Sequence, residues 1–382
     1  MRTVSLADDF MADTQWSLQS GAGTTKTVDT VNTLDIQSLK LAVDGSVTTI
    51  GFMRRTNFSL DVSDKTAVDV TFFVADVTKV NRVVVFLSNQ TNFASYKSKI
   101  ILASDMKDGW NTVSFSIENM SESGTFDQGA PVVAIQLRLE AVSGEIASVS
   151  FDRLDFVTAD RGFVLFTMDD GWDTQFTEGY RILNAQGIPG NIGLIPNAVG
   201  MAGKMSAEQF QMVYDAGWDL LNHTATHPNL STLTKEAQRI ELNTCRDYLV
   251  AQGWTRGAHS VVYPFGAYNT DTLDVLSEEG YVWGRTLVNG LESQSPINNY
   301  FVRTVNLVPS VTDEKAKEWI DEATLTGTTI VFLNHRFGTD ADLGDTMFWT
   351  IDRFEELVAY TATRQQQGAI DALSVSEWLS IN

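Results

Sequence analysis

The chain of 382 residues contains one cysteine, Cys245, so no disulfide can form within it. That thiol falls in a helical stretch and reads as a small core residue. Basic residues are scarce: 27 Lys and Arg stand against 48 Asp and Glu, for a net charge of −21. This balance argues against a nucleic-acid groove or an anionic membrane surface as the main partner, because both need a basic face. The excess acidity reads first as a device for solubility. No apolar run is long enough to span a bilayer. The N-terminal segment Met1-Arg2-Thr3-Val4-Ser5-Leu6-Ala7-Asp8-Asp9 lacks an apolar core of signal-peptide length. The expectation is a chain that is cytosolic, trimmed of a signal, or exported as part of a larger particle. Histidine is scarce too: of the four, His223 and His227 lie four residues apart.

This length exceeds one ordinary core, so two domains are expected. Residues 1–157 read as all-β. Apolar and polar residues alternate through Ala67–Val74, Thr112–Ile117, Ile135–Leu139 and Val149–Val157. Turn sequences such as Lys107-Asp108-Gly109 and Ser143-Gly144-Glu145 separate the runs. The pattern predicts an antiparallel, jelly-roll-like β-sandwich. Its charged strand ends offer a structural calcium site in which Asp8 or Asp9 joins Asp152, against the plainer reading that they are simply solvated.

The pattern changes over residues 162–382, where short apolar strands alternate with capped helices. Helices are expected from about Asp173 to Gln186, after Ser206, over Lys235–Gln252 and Asp271–Glu279, and from near Asp313 and Ile351. Gly187, Gly217, Gly253 and Gly280 stand where left-handed C-terminal caps would close four of them. Ser206 with Gln209 forms a capping box. Strands are expected at Phe163–Phe166, Gly190–Ile195, Asp219–Leu221, Ser260–Tyr263, Tyr281–Trp283 and Thr329–Leu333. Such alternation implies a parallel sheet, open or closed into a barrel.

Four segments at the C-terminal ends of these strands carry chemistry. Thr167-Met168-Asp169-Asp170-Gly171 places two carboxylates where α/β barrels build their sites, and Gly171 permits a sharp turn. Read alone, it is also a plain turn. His223-Thr224-Ala225-Thr226-His227 spaces two imidazoles by one helical turn, so both can face one ion. The plainer alternative is a helix-start pair bonded to backbone groups. Two histidines and one Asp leave coordination positions open for water and substrate, as catalytic sites do. In Tyr263-Pro264-Phe265-Gly266, proline fixes a turn that frees the Phe265 N–H for a ligand. His335 follows the strand ending Phe332-Leu333-Asn334, while His259 precedes its strand and reads as structural.

Taken in order, the four segments resemble the motifs of the polysaccharide deacetylases of carbohydrate esterase family 4. Thr167-Met168-Asp169-Asp170-Gly171 is similar to that family's Thr-Phe-Asp-Asp-Gly, with Met for Phe. His223–His227 matches its His-Ser/Thr-x-x-His, Tyr263–Gly266 resembles the end of its third motif, and Leu333-Asn334-His335 fits its Leu-x-His. The resemblance covers residues 162–382 and implies a distorted (β/α)7 barrel. It implies that Asp170, His223 and His227 hold a divalent ion, zinc first, with cobalt, nickel or manganese also suitable. It implies Asp169 as general base, His335 as general acid and the Phe265 N–H as an oxyanion donor.

Two departures stand out. The Arg that the family pairs with its base falls here at Val262, and the Asp that tunes its acid has no counterpart beside Trp283-Gly284-Arg285. Arg285 is the expected replacement for the missing Arg. Trp172, Tyr263, Trp283, Arg285 and Phe265 are the expected substrate contacts, the tryptophans and Phe265 by stacking on sugar rings or else as packing. The function implied is removal of N-acetyl groups from a polysaccharide built on N-acetylglucosamine. The alternatives are O-acetyl ester hydrolysis on acetyl-xylan or a capsule, and a glycan-binding surface or virion component that has lost turnover. The N-terminal domain loosely resembles carbohydrate-binding modules. Such a substrate places the protein outside the cell, or on a cell or virion surface.

Overall fold

The computed structural model describes residues 2–342 and 344–381. The chain divides into two compact units: one runs up to Asp160 and includes Leu325–Gly327, and the other takes the rest from Arg161 on.

Among the described residues, the first unit holds two antiparallel sheets of six strands each. In one, Ile146–Thr158 runs between Ala67–Val74 on one side and Ser38–Asp44 and Thr3–Asp8 on the other. In the other, Val132–Ala141 lies between Val80–Ser88 and Ile50–Leu60. Strand side chains alternate between faces. Val68, Val70, Phe72, Val149 and Phe151 of the first sheet therefore enter the same apolar cluster as Val83, Val85, Leu137, Leu139 and Met53 of the second. Burying each such side chain contributes about 1.5–3 kcal/mol. Two of the residues expected to share a calcium ion, Asp8 and Asp152, have protein partners here. The Arg55 guanidinium sits on the Asp8 carboxylate, which also accepts the Trp16 indole N–H at 2.9 Å. Asp152 is capped by the Thr33 hydroxyl and the Leu34 N–H.

The second unit is built on β1 (Gly162–Met168), β2 (Asn191–Leu194), β3 (Asp219–Asn222), β4 (Ser260–Val262), β5 (Trp283–Asn289), β6 (Val302–Asn306) and β7 (Thr329–Asn334). Each pairs in parallel with the next, and β1 pairs with both β7 and β2, so the seven strands close into a barrel. β8 (Ile370–Ala372) pairs with the start of β1, where β2 does not reach it, and this splits the wall at its N-terminal end. The seam is one source of the barrel's distortion. β6 and β8 carry no clear sequence signal, and the expected strand at Tyr281–Trp283 begins instead at Trp283 and runs on to Asn289.

The helices follow the capping signals. α1 (Arg181–Ala185), α2 (Ala207–Asp215), α3 (Lys235–Ala251), α4 (Thr270–Glu278), α5 (Asp313–Thr326) and α6 (Ile351–Gln366) fall where expected, and the Ser206–Gln209 capping box forms. The first differs in one respect. Its leading turns, Gln175–Tyr180, wind as a π-helix. Gly179 allows this turn to press on β1, since a Cβ there would lie 2.8 Å from both the Met168 thioether and the Phe337 ring. α7 (Val375–Ser380) is short and plugs the barrel's N-terminal end. Its Val375 and Trp378 join Phe163, Leu165, Leu221, Val262, Trp283, Val302 and Val331 in one cluster. Asp219, at the start of β3, accepts the Ser376 N–H at 2.6 Å. One end of the barrel is thus filled with hydrocarbon, and polar inward-facing residues are left to the C-terminal end.

Candidate metal and catalytic centre

The centre is assembled from strand ends. Asp169 continues β1 by donating its N–H to Asn334 O at 3.0 Å, so its side chain keeps the inward alternation of Phe163, Leu165 and Thr167. Asp170 and Gly171 then adopt φ of 75° and 63°. Two left-handed residues in succession reverse the chain, and the second carboxylate comes to bear on the same mouth. A left-handed Asp costs energy that the surrounding structure must hold in place. The bracing includes Met205 N–H on Gly171 O at 2.9 Å and the Lys204 ammonium on Asp170 O at 3.1 Å.

The two histidines converge by a route the sequence did not foretell. The expected helical turn does not form. His223–His227 is a loop in which Thr224 and His227 take φ of 61° and 63°. α3 braces it: Glu241 accepts Thr226 N–H at 2.9 Å, and Leu242 O accepts the Asn222 amide at 2.8 Å. Both Nε2 atoms end 3.4 Å from Asp170 Oδ1. His223 Nδ1 lies 2.6 Å from Val262 O, an acceptor only, so Nδ1 carries a proton and Nε2 is the nitrogen turned toward Asp170. Among the described residues, these three side chains form the group of metal-ligating type, with donor atoms all within 4.8 Å of one another. Two imidazole nitrogens and one carboxylate oxygen suit a divalent ion of the zinc type with an exchangeable position.

Their electrostatics agree with that use. Burial would raise the Asp170 carboxyl, but the His223 hydrogen bond and the charges of His223, His227 and His335 carry it well below the usual carboxylate range. Burial first, and then the neighbouring His223 charge, push His227 down to about 4. In the neutral range the set is therefore a carboxylate with a neutral His227 imidazole.

Asp169 lies beside this set but has a different partner. Its Oδ2 accepts the Arg285 guanidinium at 2.5 Å, and Arg285 is 1% exposed. Arg285 pairs in register with Val262 on the neighbouring strand, the position where the family's Arg was expected. An arginine one strand across from that position thus reaches the Asp169 carboxylate. Gly193 of β2 makes room at this point. A Cβ there would lie 2.6 Å from Val262 Cγ2 and 3.3 Å from Asp169 Oδ1. Gln175, fully buried, donates its amide to both Asp169 O and His335 O, tying the ends of β1 and β7 together. Burial lowers His335 from its ordinary value, while Asp169 and Asp170 pull in the opposite direction.

Several expected substrate contacts are placed otherwise. Trp283 is fully buried in the barrel interior, and Tyr263 is buried with its hydroxyl on Tyr300 O at 3.0 Å. Arg285 faces Asp169 rather than open solvent. Trp172 has Lys204 Nζ 3.1 Å and Arg336 Cζ 3.6 Å from its ring centre. Two cations that close cannot share one face without overlap, so both faces are covered and a sugar would have to displace one of them to stack there. Phe265 does project outward. It is 64% exposed, left-handed at φ 58°, and packs edge-on to His227 at 4.7 Å. Gly193, Gln175, Lys204 and Arg336 were not singled out from the sequence. No local pattern marks them, since each acts through a neighbour brought close by the fold.

Comparison with known proteins finds similarity to deacetylases. The polysaccharide deacetylase family model matches residues 157–283. A putative polysaccharide deacetylase, YxkH of Bacillus subtilis, is 26% identical over 158 residues, covering 41% of this chain and 56% of that protein. The poly-beta-1,6-N-acetyl-D-glucosamine N-deacetylase of Staphylococcus aureus is 25% identical over 170 residues, 41% of this chain and 58% of that protein. The chain thus spans somewhat over half the length of these curated relatives. Among solved structures, the Streptococcus pyogenes deacetylase PplD in complex with acetate aligns with a TM-score of 0.38 at 23% identity, covering 41% of this chain and 69% of that one. Arg285 and His335 lie beyond the residues that the family model matches.

Proposed function

We propose that this protein, whose residues 157–283 match the polysaccharide deacetylase family model, is a metal-dependent hydrolase that removes acetyl groups from a glycan, N-acetyl groups on an N-acetylglucosamine polymer first among them. The observation that carries this reading is the convergence of both Nε2 atoms on Asp170 Oδ1 beside the buried Asp169–Arg285 pair. Asp170, His223 and His227 would hold the ion, which when bound supplies Lewis acidity to the acetyl carbonyl and to water.

The chain's own groups do the rest. Asp169 accepts the proton of the attacking water, with Arg285 fixing its carboxylate and balancing its charge in a buried setting. The exposed turn at Phe265 offers its N–H to the developing oxyanion. A donor of this kind is worth about 3 kcal/mol. His335 hands a proton to the departing amine, which leaves poorly without one. Gln175 keeps base and acid at a fixed separation by holding the backbone of both. In this reading the two sheets of the first unit form a β-sandwich that serves to target the glycan, and the protein works outside the cell or on a cell or virion surface.

Acetate release tests the proposal. Metal-loaded protein is assayed on N-acetylglucosamine oligomers and on acetyl-xylan, with Asp169→Asn as control. Release from the oligomers supports the N-deacetylase reading. Release from acetyl-xylan alone transfers the activity to esters. A protein that binds zinc but frees no acetate from any acetylated glycan is a glycan-binding component instead.

A further inference from the structure

Trp172 was expected to meet sugar, but its surroundings give it other work. Its indole N–H donates to Asp170 Oδ2 at 3.1 Å, whereas both histidine Nε2 atoms face Oδ1. The two carboxylate oxygens are therefore not equivalent: one is engaged by an N–H, and the other is turned to the imidazoles. The indole itself is tightly held. Lys204 and Arg336 cover its faces. An isolated bridge pairs Trp172 with Lys204, and Asp173 N–H donates to Gly203 O at 3.0 Å. Lys204 also reaches Asp170 O, so one side chain steadies both the tryptophan and the backbone of the aspartate it contacts.

We propose that Trp172 is a positioning residue that dictates which oxygen Asp170 offers to the metal, with Lys204 and Arg336 as the clamp that holds the indole in place. This rests on the metal-site reading given under Proposed function. An indole N–H cannot accept a proton or bind a cation, so its hydrogen bond withdraws Oδ2 from coordination and restricts Asp170 to Oδ1. A carboxylate free to rotate would present either oxygen, or both, and would pay for its ordering when the ion binds. Outer partners of this kind typically change metal affinity about 10- to 100-fold when removed.

The test uses the full chain stripped of metal and titrated with Zn2+ against a chromogenic chelator, and with Co2+ followed by its visible absorption. Trp172→Phe keeps the ring between the two cations and deletes only the N–H. The expected result is one ion per chain, bound about tenfold or more weakly, with a shifted cobalt spectrum and an unchanged far-UV circular dichroism signal. Lys204→Met, which leaves the indole intact, should weaken binding by a smaller factor, and it supplies the evidence if Trp172→Phe fails to fold. Wild-type zinc affinity and cobalt spectrum in Trp172→Phe would overturn the proposal, as would wild-type affinity in Lys204→Met should the first variant not fold. Asp170→Ala separates this from failure of the underlying reading: if that variant keeps full zinc binding, the metal site itself is misassigned.

Discussion

Val262 and Arg285 are register partners on adjacent strands, and it is Arg285 that carries its guanidinium to 2.5 Å from Asp169. Two neighbouring positions on a barrel wall can deliver a long side chain to the same point inside. An arginine has reach enough that its strand of origin matters less than where its head arrives.

Arg285→Ala leaves Asp169 as a buried charge without its partner. Breaking such a pair costs about 3–5 kcal/mol. Urea unfolding should show a loss of that size, with turnover falling as well. The double variant Val262→Arg/Arg285→Val should recover part of both, because it returns the cation to the adjacent strand.

Asp169→Asn should keep its metal and lose turnover about 10²- to 10⁴-fold. Asp170→Ala and His227→Ala should instead lose metal. Elemental analysis of the purified variants, read beside acetate release, checks both statements, and a fully active Asp169→Asn protein would remove Asp169 from the role of base.

The metal-stripped protein should lose stability on acidification between about pH 6.5 and 4. His227 sits at about 4 when folded, against about 6.5 when unfolded, so in that window the unfolded chain binds more protons. The stability is complete above 6.5 and declines as pH falls toward 4. His227→Gln should flatten this part of the curve, measured by unfolding across pH.

Asp29 gives the first unit its own acid limit. Burial would raise this carboxyl, but hydrogen bonds from Asn32, Ser150 and Val31 hold it at about 2. Its contribution is complete above about pH 3.8 and is lost as pH falls through about 2. Asp29→Ala should destabilise by about 1–3 kcal/mol at neutral pH, because it strands the buried Ser150 hydroxyl and two backbone N–H groups.

Gly193→Ala tests close packing at the mouth. Its added methyl meets Val262 at 2.6 Å and crowds Asp169. The expected cost is about 1–3 kcal/mol, with a loss of activity larger than the change in melting temperature would explain.

Much of the second unit was legible because its signals are local. Capping at Ser206 and stops at Gly187, Gly217, Gly253 and Gly280 depend on residues within a turn of one another, and the helices end where these stand. β8 escaped notice because three residues paired at a seam leave no periodicity to read. The four-residue spacing of His223 and His227 fits a helical turn and a loop with two left-handed residues alike, so spacing cannot tell them apart. Trp172 and Trp283 look alike in sequence. One is held between two cations against a carboxylate oxygen, and the other is sealed inside the barrel. Hydrophobicity alone cannot divide them.

The sequence by itself determined that strands alternate with capped helices after residue 162, and that two carboxylates and two imidazoles stand at strand ends. These are matters of spacing and of neighbours along the chain. Only the tertiary structure decided that both imidazoles face Oδ1 of Asp170, that Trp172 engages Oδ2, and that Arg285 rather than a residue of β4 reaches Asp169. Those are contacts between residues up to 116 positions apart. The contacts of Asp170 with the imidazoles and of Asp169 with Arg285 come into being only when the barrel closes, because closure is what brings separate strand ends to one point.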